Sequence, residues 1–483
     1  MDEVYLGVDL GTTACKCAII DSRGRLLGES SADYPLITLS PKEVEQDAEE
    51  WWRGALTAIG EAARKADVAP ERIAALAVSS QGISFVPVDE GGRPLRRAIS
   101  WLDSRAEAEA REILDAFSSE RLFQMTGKRA SSFYVLPKLL WLRKHEPEVF
   151  ERTHRFLLAH DYLVHRLTGM FVTDHALASG FLLHDVKRRV WSEEMVSRFD
   201  IPKTALPDTM NAGEAAGPVA PAAARETGLT SQTRVVVGSQ DQKCAAYAAE
   251  AGPGVATISL GTATAISAVV RSPMLDPKMR IPCFPYVEPD RWILEGVVST
   301  SGAAVQWFRD QVYKGGYQLM DLAAQGEMDA TVSLFFFPHL AGAGSPVWNA
   351  PHGGAFTGLS LHASAAAMAR AVLEGVAFQI RSNLEVLGEL NVKPNMLHAF
   401  GGGARSDVWI QIIADVAGLP VSVYHNPESA AIGSCMLAAL GAGREIAFEK
   451  TGRVVEPDSV RAGEYAERYG RYRRVEGLVV SDQ

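Results

Sequence analysis

Cysteine is scarce: Cys15, Cys17, Cys244, Cys283 and Cys435 are the only five in 483 residues. An odd, scattered set excludes a disulfide framework and points to a reduced, cytoplasmic protein. Cys15 and Cys17 form a C-x-C pair, but no second Cys or His pair stands at zinc spacing. They read as two small apolar-like side chains alternating along a strand. Long hydrophobic runs are also missing. Nothing approaches the roughly 18 residues of a membrane helix, and the greasiest short stretch, Leu334 to Phe337, reads as a buried strand. No basic segment followed by an apolar stretch stands near the start, so no signal peptide is expected. Positive charge is in deficit, with 48 Lys and Arg against 58 Asp and Glu and no clustered basic block. That balance excludes nucleic acid and anionic membrane as natural partners.

Familiar motifs are absent as well. There is no G-x-x-x-x-G-K-[ST], no G-x-G-x-x-G after a strand and no protein-kinase set. G-x-S-x-G and H-E-x-x-H are missing too. What remains is ordinary globular composition, 47% hydrophobic and 22% charged, without a tract biased enough for disorder. The length suits two large domains.

The chain is written twice. Tyr5-Leu6-Gly7-Val8-Asp9-Leu10-Gly11-Thr12-Thr13 leads into Ala14 to Asp21, and Val255 to Leu260 leads through Gly261-Thr262 into Ala263 to Val270. Both read as strand, Leu-Gly-Thr turn, strand, at an offset of about 250 residues. Their positions at the start of each half argue for a duplicated domain, residues 1–250 and 251–483. The break falls at Ala251-Gly252-Pro253-Gly254. Ile73 to Ser80 and Val235 to Val237 read as strands of the first half, and Pro137 to His145 as a helix. In the second half Ala365 to Leu387 is a long helix, Leu397 to Phe400 a strand, and Asp407 to Gly418 a helix. Alternation of strands and helices in both halves gives an α/β fold.

Four loops carry the chemistry. Gly11-Thr12-Thr13 offers backbone N–H groups and hydroxyls in a turn where glycine allows close approach, as a phosphate would need. Asp9 precedes it, and a carboxylate beside a polyphosphate calls for a cation; Mg²⁺, held largely through water, is the natural one. Lys16 can reach a phosphate as a point charge. Alone, this turn is also what an ordinary hairpin with a surface Asp looks like. The second turn, Gly261-Thr262, makes a grip on both ends of a triphosphate the better reading. The glycine run Gly401-Gly402-Gly403, between a strand and a helix, is the third loop; it also reads as a flexible turn with Ser406 or Asp407 as helix cap. Fourth is Gly238-Ser239-Gln240-Asp241-Gln242, a polar loop after a strand. Asp241 there is a candidate general base toward a hydroxyl, with a helix cap as the plain alternative.

Together these segments resemble the FGGY carbohydrate kinases, of the actin, heat-shock chaperone and hexokinase superfamily. The resemblance runs in order through the Asp9 to Lys16 turn, Trp101-Leu102-Asp103-Ser104-Arg105, Ser239 to Gln242, Leu260 to Thr262, and Ser301 to Trp307. It continues through Gly354 to Leu359 and Arg370 to Phe378 and ends at Gly401 to Asp407. It implies two actin-like (ribonuclease H-like) domains around a cleft. It also implies ATP and Mg²⁺ as cofactors, Asp241 as catalytic base and Asp9 as the Mg-ATP carboxylate. Thr12, Thr13 and Thr262 are implied phosphate contacts; Gly302, Gln306, Gly403 and Asp407 frame the nucleotide. The sugar falls near Gln81, Asp103, Asp241 and Gln242. The Gly354 to Phe378 stretch reads instead as packing beneath the site.

Lys138 to Pro147, Asp161-Tyr162-Leu163 and Leu167-Thr168-Gly169 are most similar to the xylulokinase branch. Xylulokinases usually carry Met-His after Gly-Gln in the first-domain substrate loop, and glycerol kinases Arg-Glu; here the loop is Ser79-Ser80-Gln81-Gly82-Ile83-Ser84. Xylulose is the first expected substrate, then ribulose, another ketose or a polyol, and glycerol is disfavoured. Two other classes share part of this pattern: a nucleotide-driven switch of the actin or chaperone type, and a sugar-binding regulator without catalysis. The presence of both Asp9 and Asp241 favours the kinase. A homodimer is compatible with the sequence, although no dimer surface stands out in it.

Overall fold

The computed structural model describes residues 3–314, 322–324, 326, 334–348, 353–424, 429–448 and 452–481. Val4–Leu10 (β1), Ala14–Asp21 (β2) and Leu26–Asp33 (β3) form an antiparallel meander. Ile73–Ser80 (β4) joins β1 in parallel, and Ala215–Pro218 (β5) and Arg234–Val236 (β6) complete the sheet in the order β5-β6-β4-β1-β2-β3. Every residue of β1 is buried, as expected of a central strand covered on both faces. One cover is Ala48–Ala66 (α1). Asp47 caps it by accepting from the Glu49 N–H, and Trp51, Ala55, Ala58, Ile59 and Ala62 form its inward stripe. The other cover comes from Asp241–Ala248 (α2) and from a helix of the second half.

The second sheet repeats the plan. Val255–Leu260 (β7), Thr264–Val270 (β8), Cys283–Pro285 (β9), Trp292–Val298 (β10), Met396–Phe400 (β11), Val421–Val423 (β12) and Val454–Val455 (β13) run in the order β9-β10-β8-β7-β11-β12-β13. β7 is antiparallel to β8 and parallel to β11, as β1 is to β2 and β4. The outer strands match as well: β12 lies parallel to β11 and antiparallel to β13, as β6 lies to β4 and β5. The duplication read from two turns therefore extends across both sheets. Gly302–Trp307 (α3), Ala365–Glu389 (α4), Asp407–Ala417 (α5), Ser429–Gly441 (α6) and Ser459–Ser481 (α7) are its principal helices. The buried stripe of α4 includes Val372, Leu373, Val376 and Phe378, consistent with a packing role for that stretch.

The expected elements lie within a turn of their predicted bounds. The helix expected from Pro137 begins at Val135, and the strand expected at Val235 to Val237 spans Arg234–Val236. The Leu334 to Phe337 run gives the buried strand Phe335–Phe337. One placement differs: Asp241, expected in a loop, is the first residue of α2, because Gln240 already occupies the extended cap position.

At the predicted break the chain leaves α2 and enters β7. The halves nevertheless interpenetrate. α6 lies on β1, β4 and β2 of the first sheet and against α2, and Cys435 Sγ donates to the Ala18 carbonyl at 3.1 Å. Small residues permit this approach: a Cβ on Gly7 would stand 1.8 Å from the Ala431 carbonyl oxygen, and one on Gly433 1.9 Å from that of Cys244. Both obstacles are backbone, so relief requires moving the helix. Gly7→Ala is expected to destabilise the protein by about 1–3 kcal/mol or more, read as a lower urea midpoint. An unchanged midpoint would mean that α6 is not seated on β1.

A five-stranded accessory sheet flanks the first: Ile37–Thr38, Val44–Gln46, Ala98–Ile99, Phe85–Val88 and Arg155–Leu158. Its strands deliver the loops around Gln81, Ser84 and Trp101 to the edge of the main sheet. No helix among the described residues is long and apolar enough to cross a membrane.

Candidate active site

Parallel strands end together, and that edge of the first sheet collects the polar residues. The Gln81 N–H donates to the Leu10 carbonyl at 2.7 Å, and the Ser80 N–H to the Ser239 carbonyl at 3.2 Å. The ends of β1 and β4 and the loop after β6 are thereby tied side by side. Asp9, near the end of β1, is buried and faces Lys16 of β2 and Ser79 of β4 in register. The Ser79 hydroxyl donates to Asp9 Oδ1 at 2.6 Å.

Asp241 opens α2, with its Oδ1 accepting the Gln242 N–H at 2.7 Å. Burial, reinforced by the Asp9 charge, pushes its carboxyl up to about 7, against the Gln242 hydrogen bond and the Lys243 charge. Asp9 and Asp241 both offer carboxylate oxygens at the edge that carries the first Leu-Gly-Thr turn, a donor type suited to a hard divalent cation. Among the described residues no three Asp, Glu, His or Cys side chains cluster as metal ligands. An ion bound here would complete its shell with water and phosphate oxygens, which suits Mg²⁺.

Gln81 is buried and hydrogen-bonded at both ends of its amide. Its Nε2 donates to Gln46 Oε1 at 3.0 Å, and its Oε1 accepts from Ser84 Oγ at 3.1 Å. Gln46 Nε2 in turn donates to the Thr12 carbonyl at 2.8 Å. Ser84 Oγ accepts the Trp101 N–H at 3.0 Å, and Trp101 Nε1 donates to Thr12 Oγ1 at 3.0 Å. A closed polar circuit thus joins the first Leu-Gly-Thr turn to the Gln81 loop. Trp101 leaves 37% of its surface exposed, an apolar face beside polar donors.

Asp103 has a different place from the one expected of a sugar ligand. It is fully buried, accepts the Val44 N–H at 2.7 Å and the Arg105 N–H at 3.0 Å, and pairs with the Arg105 guanidinium. Its carboxylate anchors the loop that carries Trp101. Lys138 holds the same loop, donating to the Ser100 carbonyl at 2.7 Å and the Phe133 carbonyl at 3.0 Å.

In the second half three loops converge. The Gly302 N–H donates to the Gly261 carbonyl at 2.9 Å, and the Ser301 and Ala303 N–H groups donate to Thr262 at 3.0 and 3.1 Å. The start of α3 is thereby fixed to the second turn. Gly401 has φ +92°, and a Cβ there would stand 2.9 Å from the Leu260 carbonyl oxygen. The glycine run can approach the turn only because it lacks side chains. Thr13 and Thr262 are exposed at the tips of the two turns; Gly11, Thr12 and Lys16 are half-buried. Gln306 and Gly402 are exposed and Gly403 is half-buried. Asp407, first residue of α5, is exposed and paired with Arg453.

The predicted residues therefore form two groups: Asp9, Gly11, Thr12, Lys16, Gln81, Asp241 and Gln242 on the first sheet, and Gly261, Thr262, Gly302, Gly402 and Gly403 on the second. Gln46 joins the first group without a motif to announce it, and Ser79 and Ser84 belong to the substrate loop already singled out, in which Gln81 alone was expected to meet a ligand. Trp101 stood beside Asp103 in the segment already singled out, and its signal was an aromatic residue leading a polar loop.

The family model for the N-terminal domain of the FGGY family of carbohydrate kinases matches residues 4–248, and that for the C-terminal domain residues 256–442. The chain is 29% identical over 448 residues to a xylulose kinase of Bacillus subtilis (strain 168), covering 91% of this chain and 88% of the relative. A gluconokinase of the same organism is 28% identical over 463 residues, covering 93% and 90%. A crystal structure of a xyloylose kinase from Brucella ovis superposes with a TM-score of 0.92 at 29% identity, covering 100% of each chain. With two actin-like domains matched along nearly their whole length, the chain belongs to the FGGY family of carbohydrate kinases.

Proposed function

We propose that the protein transfers the γ-phosphoryl group of ATP to a hydroxyl of a ketopentose, xylulose first, with ribulose, another ketose or a polyol as alternatives. The observation that carries the mechanism is the place of Asp241, a carboxylate opening α2 at the sheet edge where the Ser239 loop is tied to the end of β4, next to the strand of Asp9; burial and the Asp9 charge raise its proton affinity to about 7. At neutral pH such a group both accepts and releases a proton. The sugar hydroxyl gives its proton to an Asp241 oxygen as its own oxygen bonds to the γ-phosphorus. The bond from that phosphorus to the bridging oxygen breaks, and ADP leaves.

Trp101 and the Gln81 loop line the sugar side, with Gln81 held rigid by Gln46 and Ser84. Asp103 acts indirectly, by fixing the Trp101 loop. Thr12, Thr13 and Thr262 offer N–H and hydroxyl donors to the phosphates, and Lys16 a positive charge. The glycine run and α3, with Gln306 and Asp407, border the nucleoside. Asp9 would hold Mg²⁺, which when bound neutralises phosphate charge.

The substrate loop Gln81-Gly82-Ile83-Ser84 lacks the pairs that mark xylulokinases and glycerol kinases, while the relatives include both xylulose kinases and gluconokinases. ADP release with Mg-ATP across pentuloses, hexuloses, polyols and sugar acids tests the reading. Stimulation by a pentulose well above every other class is expected. Stimulation by a sugar acid alone would replace the substrate, and hydrolysis indifferent to every sugar would favour a nucleotide-driven switch.

A further inference from the structure

Two residues after Asp241, the same helix carries a fully buried lysine. Lys243 Nζ lies 3.0 Å from each carboxylate oxygen of Glu295, and the side chains are 0% and 8% exposed. Glu295 belongs to β10, in the second sheet, so this buried ion pair crosses from the catalytic helix of one half to the sheet of the other. Its surroundings are equally specific. The ammonium sits 3.8 Å from the centre of the Phe284 ring, on β9, and Ser267 of β8 donates its hydroxyl to the same glutamate at 3.5 Å. A second buried lysine, Lys128, stands 4.1 Å from the same ring centre.

Isolated charges are costly to bury, and a well-packed apolar pair serves stability as well or better. A buried pair is therefore weak evidence for stability, and here its location gives it another use. α2 is about two turns long and packs chiefly against α6, where a Cβ on Gly433 would stand 1.9 Å from the Cys244 carbonyl oxygen. The pair ties α2 to β10 through a charge-assisted contact to each Glu295 oxygen, at a depth where neither charge can turn to water. Lys243 is two residues from Asp241, so a rotation of α2 moves both.

We propose that Lys243 and Glu295 are positioning residues that register the catalytic carboxylate of the first half against the nucleotide-holding half. The proposal rests on Asp241 being the base. Loss of the registration lowers the population of complexes in line for transfer, without removing a contact to sugar or nucleotide. A misplacement of about 1 Å costs on the order of 10²-fold in rate.

Glu295→Gln keeps shape and one hydrogen bond to Lys243, and Lys243→Met with Glu295→Met removes both charges together. For Glu295→Gln a fall in kcat of about tenfold is expected, with KM for sugar and for ATP within about twofold of the parent. For the double variant a melting temperature near the parental one is expected, with kcat lower by about 10–100-fold. A purely structural pair predicts the opposite: activity would return with stability. Parental kcat in folded Glu295→Gln, or in the double variant if it alone folds, overturns the proposal. So does a rise in either KM large enough to account for the loss. Asp241→Asn run in the same series separates the two ideas. Parental turnover there sinks the base assignment, whereas its loss beside parental Glu295→Gln sinks only the positioning pair.

Discussion

Asp241→Asn lowers kcat by about 10²–10⁴-fold, the ordinary contribution of a positioned base, while KM for Mg-ATP stays within a few-fold of the parent. The asparagine keeps the shape and still accepts the Gln242 N–H, so α2 keeps its first turn. What disappears is the oxygen proposed to take the hydroxyl proton. The same substitution changes stability in the other direction. In the parent, the folded-state carboxyl sits at about 7, above its unfolded value. Folding therefore binds a proton between roughly pH 4 and 7, and the ionised carboxylate is unfavourable above that window. The contribution of the protonated form is complete at low pH and is lost as pH rises through about 7. In nucleotide-free protein with EDTA, Asp241→Asn should be more stable than the parent at pH 8, by an amount on the order of 4 kcal/mol, and close to it at pH 4. Urea midpoints at the two pH values measure this. Equal stability at pH 8 would mean that the carboxyl is not held in its protonated form by the fold.

The legible part of this site is the part written locally. Asp9 stands near the end of β1 and Asp241 opens α2 after the polar run that follows β6, and strand ends in a parallel sheet are where loops can reach a ligand. The paired Leu-Gly-Thr turns announced the duplication, which the matching strand orders of the two sheets extend. Asp103 was legible as a segment and not as a role. Its carboxylate, taken up by Arg105 and Val44, is decided by burial, and an aspartate in a loop looks alike whether it faces a ligand or a neighbouring guanidinium. Gln46 and Ser84 meet Gln81 only because the accessory sheet folds its strands over the main one.

The junction of the halves was the least legible feature. Contact between Gly7 and Ala431 links residues more than four hundred positions apart, and both are small residues without a periodic signature. Lys243 and Glu295 are equally silent in sequence: one is the third residue of a short helix, the other a charge in the middle of an apolar strand. A glutamate within Trp-Ile-Leu-Glu-Gly-Val-Val needs a partner when buried, and that requirement is the single local hint. The hint says that a partner exists without naming the helix that supplies it.

Asp9→Asn is expected to lower kcat by about 10²–10³-fold, the range for loss of one electrostatic contact to a reacting centre, and to raise the Mg²⁺ concentration giving half-maximal rate. Asp9 is buried at the end of the central strand and accepts from Ser79, so an amide fits the same space and the sheet is undisturbed. The charge, however, has two effects of opposite consequence. In the proposed mechanism it offers an oxygen donor to a cation at the first Leu-Gly-Thr turn, and it pushes the Asp241 carboxyl upward. Removing it weakens cation binding and at the same time lowers the proton affinity of Asp241. The acidic limb of kcat/KM should therefore move to lower pH in Asp9→Asn, even as the maximal rate falls. A structural role for Asp9 alone would lower stability and leave both the Mg²⁺ requirement and the limb in place. A rate measured over a Mg²⁺ series at pH 6 and pH 8 tests both effects. If the half-maximal Mg²⁺ concentration is unchanged, Asp9 is not the cation's carboxylate. If the limb stays fixed while the Mg²⁺ requirement rises, the two carboxylates are too far apart to share a field.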